Sequence, residues 1–499
     1  MAHLKYHTKL ESEDSNAMCF PERLPKGASM RIVIGGAGEV GRGVAKALRS
    51  EGRDVVLIDS NPAAIKEAQA LDVLVVQGDA TIREDLMEAE IERAEVYIAA
   101  TERDEINLLS CSLARDICSS SSGDGRDLMT IARIHDAKLV SNEDKESLAR
   151  WTGVNHPVCS DLIVIKDLKA GLKGSGMNEV LSLGNDAWVA VVQVQPSAEQ
   201  LINHTILDAE DRVDGLPRIF GVKVSGEGSK IPTESTVITE HSLLAFATVG
   251  KHTFRRILEA AGHDPAPYPK SPRVLIFGAT RLGRQIARSY LEEGCRVTVI
   301  SESLEEANAL AGSEYGDTDL LDSIHGDPLD SDLLQELDIE NHDISIAALK
   351  DDQTNIAVSL QAAELGIERT GMVLDDSQMA QVARRIGETY AVSRRRIAIN
   401  YILRQVHNRV EGNYHLLASV PELVGMSASV GSGNKMIGRQ IKKLEGNICR
   451  VAFVQRSAET GSESMIRATP DLFLKEGDRL MLFAKVKDIE NVEDLLSGS

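Results

Sequence analysis

The chain is short of cysteine, of basic charge and of long apolar runs, and each shortage removes a class of protein. Six cysteines in 499 residues, Cys19, Cys111, Cys118, Cys159, Cys295 and Cys449, are too sparse for a disulfide framework, and none stands at the CxxC spacing of a zinc site. They read as small core residues in a reducing compartment. Lys and Arg number 55 against 76 Asp and Glu, a net charge of −21, and a chain that acidic is repelled by a phosphate backbone. Nucleic-acid binding is therefore not expected. No run reaches the roughly 18 apolar residues of a membrane span, and the start has neither a basic segment leading into an apolar run nor a cleavage site. The expectation is a soluble, cytoplasmic protein, long enough for about two to four domains.

What is present is a sequence written twice. Residues 31–59 read RIVIGGAGEVGRGVAKALRSEGRDVVLID, and residues 273–301 read RVLIFGATRLGRQIARSYLEEGCRVTVIS, so Gly36, Gly41, Arg42, Ala45, Glu51 and Gly52 recur 242 positions later. The echo continues through VVQGDA against SIHGDP and YIAATERDEINLL against SIAALKDDQTNIA, now displaced by 248 after an insertion near EYGDTD. Each copy runs from a β-branched stretch through a glycine-rich turn into a helical pattern and a second apolar stretch. That order is a βαβ unit, whose crossover makes a parallel sheet. The fold class expected is α/β: two doubly wound, Rossmann-like parallel-sheet domains, at 30–150 and 273–390. Each is followed by a small α+β domain, at 178–259 and 412–499, where short alternating runs such as AWVAVVQV and DRLMLFAKV are separated by Gly, Ser and Pro. The proline-rich stretch 260–272 reads as the linker between halves, and 1–29 as a disordered extension.

In the first copy, Gly36-Ala37-Gly38-Glu39-Val40-Gly41 follows a strand and opens a helix, with Asp59 closing the next strand. Gly36 permits the tight turn, Gly38 lets backbone N–H groups approach a pyrophosphate, and Gly41 lets helix and strand pack closely. The positive end of the helix then faces the phosphates. Asp59 accepts from a ribose hydroxyl pair and repels a 2′-phosphate, which favours NAD or an adenosine nucleotide over NADP. Asp79 and Ala80 end the third strand, where the acid reads as a ligand or equally as a solvated turn residue. Thr101 and Glu102 end the fourth strand, at the carboxyl edge where ligands of open α/β sheets bind. Asn107 caps or braces that loop, and Arg133, ending the fifth strand, meets a phosphate or makes a surface ion pair.

The second copy departs from this pattern. Gly278-Ala279-Thr280-Arg281-Leu282-Gly283 puts a side chain where the second glycine stood, and Ser301 replaces the acid. It is a second nucleotide site or a degenerate structural copy; Arg281, which reaches toward phosphate, favours a site. His135, His325 and His342 have no second ligand at metal spacing and read as solvated or core histidines. The arginines at 384–385 and 394–396 read as a solvated helix face or a contact with an acidic partner.

The motifs GAGEVG, LID, QGDA, AATERDEINLL and IAR, followed by a small α+β domain and then the whole order again, resemble the TrkA family of potassium-uptake regulators, whose tandem modules are RCK domains. The resemblance covers about residues 31–497. It implies a cytoplasmic, peripheral regulatory subunit that forms a homo-oligomeric ring, a dimer or tetramer, at the inner face of the membrane. Its partner is a membrane-embedded, TrkH-like potassium transporter subunit, and its ligands are NAD(H) and ATP or ADP. It also implies nucleotide contacts at Gly36 to Val40, Asp59, Thr101, Glu102 and Arg133, with Gly278 to Leu282 as a second set. The segments at 151–177 and 391–411 then hold crossover helices that pack on the neighbouring domain, starting at Ser160 and Ser393, each a serine suited to capping. An NAD-dependent oxidoreductase is the alternative, since a dinucleotide motif alone does not separate the two. Against it, the domain paired with each cofactor fold is small, repeated and without a clear acid or base, and no catalytic residue or metal ligand is assigned.

Overall fold

The computed structural model describes residues 31–492 apart from 122–127, 141–150, 175, 185–186, 225–227, 234, 251–252, 265–266, 317, 387–388, 410–412, 415–418, 421, 432–433, 446–447, 458–462, 486–487 and 489–490. The extension at 1–29, with Cys19, lies outside the described residues, as do the side chains of Arg384 and Arg385.

Apolar runs buried on both faces, such as Ile32, Val33 and Ile34, make central strands of a covered parallel sheet. In the first half β1 (Arg31–Gly35), β2 (Asp54–Asp59), β3 (Leu74–Gln77), β4 (Val96–Ala99), β5 (Met129–Ile134) and β6 (His156–Cys159) are all parallel, in the order β3-β2-β1-β4-β5-β6. The order reverses beside β1, which opens a crevice at the carboxyl ends of β1 and β4. A five-stranded antiparallel sheet follows, made of β7 (Met177–Gly184), β8 (Ala187–Gln193), β9 (Arg218–Lys223), β10 (Ser229–Lys230) and β11 (Leu243–Val249). The second half repeats both. Its parallel sheet, β12 (Arg273–Phe277), β13 (Arg296–Ser301), β14 (Leu321–His325), β15 (Ile344–Ala347), β16 (Arg369–Leu374) and β17 (Thr389–Ser393), runs β14-β13-β12-β15-β16-β17. Its antiparallel sheet is β18 (Asn413–Tyr414), β19 (Leu423–Ser429), β20 (Cys449–Ser457), β21 (Glu463–Arg467) and β22 (Arg479–Lys485).

The halves are joined by exchange. Helix Ser160–Lys173 leaves the first parallel sheet and buries Val164 and Leu168 in one core with Ile286 and Tyr290 of the second half's loop helix, Arg281–Leu291. Helix Arg394–Arg409 makes the reverse journey, burying Ala398, Ile402 and Val406 with Val40, Val44 and Leu48 of the first half's loop helix, Glu39–Ser50. Gly43 is what lets the latter two helices approach, since a Cβ there would stand 2.3 Å from Ile399 Cδ1. Only one of the two expected serine caps forms. Ser393 Oγ accepts from Arg396 N at 3.3 Å, whereas Cys159 holds the cap position of the first crossover helix and Ser160 lies within its first turn, its hydroxyl buried without a partner.

The two small sheets also share a core, in which the rings of Phe220 and Phe483 stack with centroids 3.9 Å apart. The molecule is thus a tandem pair held together at two levels.

Candidate functional site

In the first half the loop after β1 is shaped by two glycines and left open at a third. Gly36 sits at φ +106°, in the region L side chains avoid, and a Cβ on Gly41 would fall 1.9 Å from the Gly36 carbonyl oxygen. Gly38 differs. Its φ of −64° suits any residue, a Cβ there would meet nothing within 4 Å, and as helix N-cap it offers no side-chain hydrogen bond. The first turn of the loop helix therefore faces open space with its donors uncapped, the arrangement that receives an anion. Asp59 holds the loop from the side: its Oδ2 accepts from Ala37 N and its Oδ1 from Asn61 N, both at 2.7 Å. Each oxygen keeps a lone pair for a ribose hydroxyl.

The opposite wall is built by Asn107, wholly buried, whose amide joins the ends of β4 and β5. It accepts from Thr101 N at 3.0 Å and donates to the carbonyls of Thr101 at 3.0 Å and Arg133 at 2.8 Å. Arg133 is 2% exposed, so the surface-pair reading gives way to a buried guanidinium held by an exposed carboxylate, with Nη1 2.8 Å from Glu102 Oε1. Its Nε is buried without a hydrogen-bond partner, and so is His135 Nε2, 3.6 Å from Glu102 Oε2. Partial burial works to raise the Glu102 carboxyl; Arg133 and His135 outweigh it and hold it below the usual range. Asp104 closes the wall, accepting from His135 Nδ1 at 2.8 Å and from the backbone of His135 and Asp136. Asp79 spends one oxygen on Thr81, and Ala80 is buried behind the loop, close to Gly35.

The second half keeps the frame and changes the lining. Gly278 and Gly283 repeat the geometry of Gly36 and Gly41, Ala279 and Leu282 are buried, and Asn355 repeats the brace with Leu349 and Val373. Thr280 does not repeat Gly38. Its hydroxyl accepts from Gly283 N at 3.1 Å and donates to the Ala348 carbonyl at 2.8 Å, so this helix end is capped by its own side chain. Ser301 is buried, its hydroxyl turned to Ser303 N. Matched by the braces, Lys350 stands for Glu102, Val373 for Arg133 and Asp375 for His135. A cleft of about 320 Å³ remains, lined by Thr280, Arg281, Lys350, Asp352, Asp375 and Arg394 among others. Arg394, from the second crossover helix, grips Asp375 with two bonds of 2.9 and 3.0 Å.

Sequence reasoning picked out the loop, Asp59 and Arg133 but left His135, Asp104, Lys350, Asp375 and Arg394 out of the site. The 248-residue displacement already paired Asp104 with Asp352 and Glu102 with Lys350; the place of Arg394 depended on a crossover no spacing reveals. His342 is a core histidine, bonded to Thr298 Oγ1 and the Ile339 carbonyl. Among the described residues no three His, Cys, Asp or Glu are grouped to hold a metal ion, and no helix is long and apolar enough to cross a membrane.

The TrkA-N domain family matches this chain twice, over residues 32–158 and 274–394. The Trk system potassium uptake protein TrkA of Azorhizobium caulinodans is 26% identical over 481 residues, covering 94% of this chain and 99% of that protein. A TrkA homolog of Archaeoglobus fulgidus is 26% identical over 477 residues, covering 93% and 100%. TrkA of Haemophilus influenzae is 24% identical over 477 residues, covering 94% and 99%. Among solved structures, the GsuK channel bound to NAD superimposes with a TM-score of 0.54 at 19% identity, over 95% of this chain and 80% of that one. The GsuK RCK domain gives 0.53 at 20%, over 95% and 96%. The fold is that of tandem RCK domains.

Proposed function

We propose that this chain, which belongs to the TrkA-N family and carries that domain twice, is a nucleotide-sensing regulatory subunit of a potassium transport system, with NAD(H) as ligand of the first cleft. The observation that carries the reading is the uncapped helix end at Gly38, open in front and flanked by Arg133 with its buried, unpartnered Nε. The residues present fit a dinucleotide. Backbone donors from Gly38 to Val40 suit a pyrophosphate, Asp59 a ribose, and Arg133 with Glu102 a second polar group of the ligand. In the second cleft Arg281 and Lys350 replace Glu39 and Glu102 while Ser301 replaces Asp59, which favours a ligand with more negative charge, ATP or ADP; the self-capped Thr280 opposes it.

The three relatives above are named for potassium uptake, and the structural neighbours for a channel, which supports regulation over the dehydrogenase alternative. The reading includes a membrane-embedded, TrkH-like partner and a homo-oligomeric ring at the inner face of the membrane, both drawn from kinship. Coupling has a physical route. Arg395 of the second crossover helix pairs with Glu39 of the first loop and also lies 3.5 Å from Asp375 of the second cleft. A phosphate arriving beside Glu39 competes for that arginine and so biases how the halves meet.

Calorimetry with NAD, NADH and ATP on the full chain tests the reading. Gly38→Val is expected to abolish NAD binding with only a small fall in melting temperature, since its Cβ has free space and valine is merely a poorer helix cap than glycine, while Thr280→Val keeps it. NAD binding that survives Gly38→Val, or substrate-dependent consumption of NADH, overturns the proposal.

A further inference from the structure

Of the ion pairs that tie the halves where a crossover helix meets the opposite loop helix, two occupy the same place in the two copies, while a third, Lys169 Nζ to Glu293 Oε1 at 3.0 Å, lies near the far end of the second half's loop helix. Glu39 and Arg281 are each the first residue of a loop helix. Ile134 pairs with Cys159 across β5 and β6, and Leu374 with Ser393 across β16 and β17, so Asp161 and Arg395 are each the second residue of a crossover helix. Arg395 is bonded to Glu39, and Arg281 Nη2 lies 2.9 Å from Asp161 Oδ2. It is one bridge formed twice, with the charges exchanged. Asp161 is fully buried, which makes the sign of the group opposite it matter most.

The small domains meet differently. Glu210 and Glu445 each accept the N–H of an equivalent strand residue, Ile219 and Val451, at 2.8 Å. Each also faces the other half's arginine, Arg450 to Glu210 and Arg218 to Glu445. Acid and base stand at the same places in both copies, so this interface accepts either copy against either. Burial of the apolar faces is likewise indifferent to which copy provides them.

We propose that Glu39, Asp161, Arg281 and Arg395 form a charge code that makes the first half of the chain pair with the second half rather than with another first half. Like paired with like would set Glu39 against the buried Asp161, and Arg281 against Arg395. Unlike pairing makes two attractive bridges, and repulsion against the wrong partner is what turns contact into specificity. The code rests on the pairing of the lobes and stands whatever the clefts bind.

Exchanging only the loop residues, E39R with R281E, keeps net charge and inverts the preference: the arginine introduced in place of Glu39 now suits Asp161 of another first half. Cysteine pairs read the outcome on a denaturing gel after treatment with a short bis-maleimide. G43C/I399C sits where the correct halves touch and is expected to link within one chain; G43C/I165C reports first half against first half. With E39R/R281E added, the first link is expected to fall away and the second to appear as a two-chain band. An undiminished single-chain G43C/I399C link in that background overturns the code. Should E39R/R281E fail to fold, E39R and E39R/R395E decide it by melting temperature. E39R alone is expected to lower it and the reversed pair to restore it, and a reversed pair no more stable than E39R overturns the proposal.

Discussion

At the scale of single residues, the clefts rest on amides and acids whose hydrogen bonds go to the protein itself. Asn107 satisfies the backbone of Thr101 and Arg133 from a position closed to water. Replacing it with Ala leaves those groups unpaired, so Asn107→Ala is expected to cost about 2–4 kcal/mol in urea unfolding of the full chain. Asp104 gives the acid limb. Burial works to raise its carboxyl, and hydrogen bonds from the His135 ring and from the backbone of Asp136 and His135 outweigh that and depress it. A carboxyl depressed by folding stabilises fully above its unfolded value and loses that contribution as pH falls through the folded one. Asp104→Asn should therefore be least stable relative to the parent near neutrality, with the gap closing as pH drops below the ordinary carboxylate range; denaturation midpoints across pH 3–7 check this. The sequence displayed Asn107 without its partners, because the carbonyl of Arg133 lies 26 positions away and only the parallel register brings it near.

At the scale of elements, three glycines of one motif carry separable tasks. Gly36, at φ +106°, and Gly41, whose Cβ would fall on the Gly36 carbonyl, serve the backbone, while a Cβ on Gly38 would meet nothing within 4 Å. Gly41→Ala drives a methyl group into the Gly36 carbonyl and is expected to lower the melting temperature sharply and take NAD binding with it, whereas Gly38→Val takes the binding with only a small fall in melting temperature. Thr280 shows the limit of motif reading. As a departure from the pattern it suggested a blocked cradle, and the structure adds that its hydroxyl caps the helix, which by itself is worth about 1 kcal/mol. The serines of the crossover helices looked alike in sequence and part company in space. Ser393 ends a strand and caps, while Ser160 is drawn one position further into its helix.

At the scale of the whole molecule, the repeat was legible because both copies keep the residues of a βαβ turn, whereas the way they meet followed only from the family resemblance, because an exchange of helices leaves no periodic trace. The small domains make the point through charge. Arg218 and Glu445 are nearly buried and come from opposite halves, brought together across 227 residues. Burial raises the Glu445 carboxyl, and Arg218 and the Val451 N–H oppose that rise without cancelling it. Removing the arginine alone strands a buried carboxylate, and Arg218→Met is expected to cost about 3–5 kcal/mol. Adding Glu445→Gln keeps an acceptor for Val451 N without the charge and should recover most of that loss. Trp188, buried in the first small domain, provides the signal: its emission in urea should shift at lower denaturant in Arg218→Met and return toward the parent in the double variant. If the double variant is instead no better than Arg218→Met, the pair does not hold the small domains together, and the apolar face around Phe220 and Phe483, with the Arg450–Glu210 pair, carries that interface.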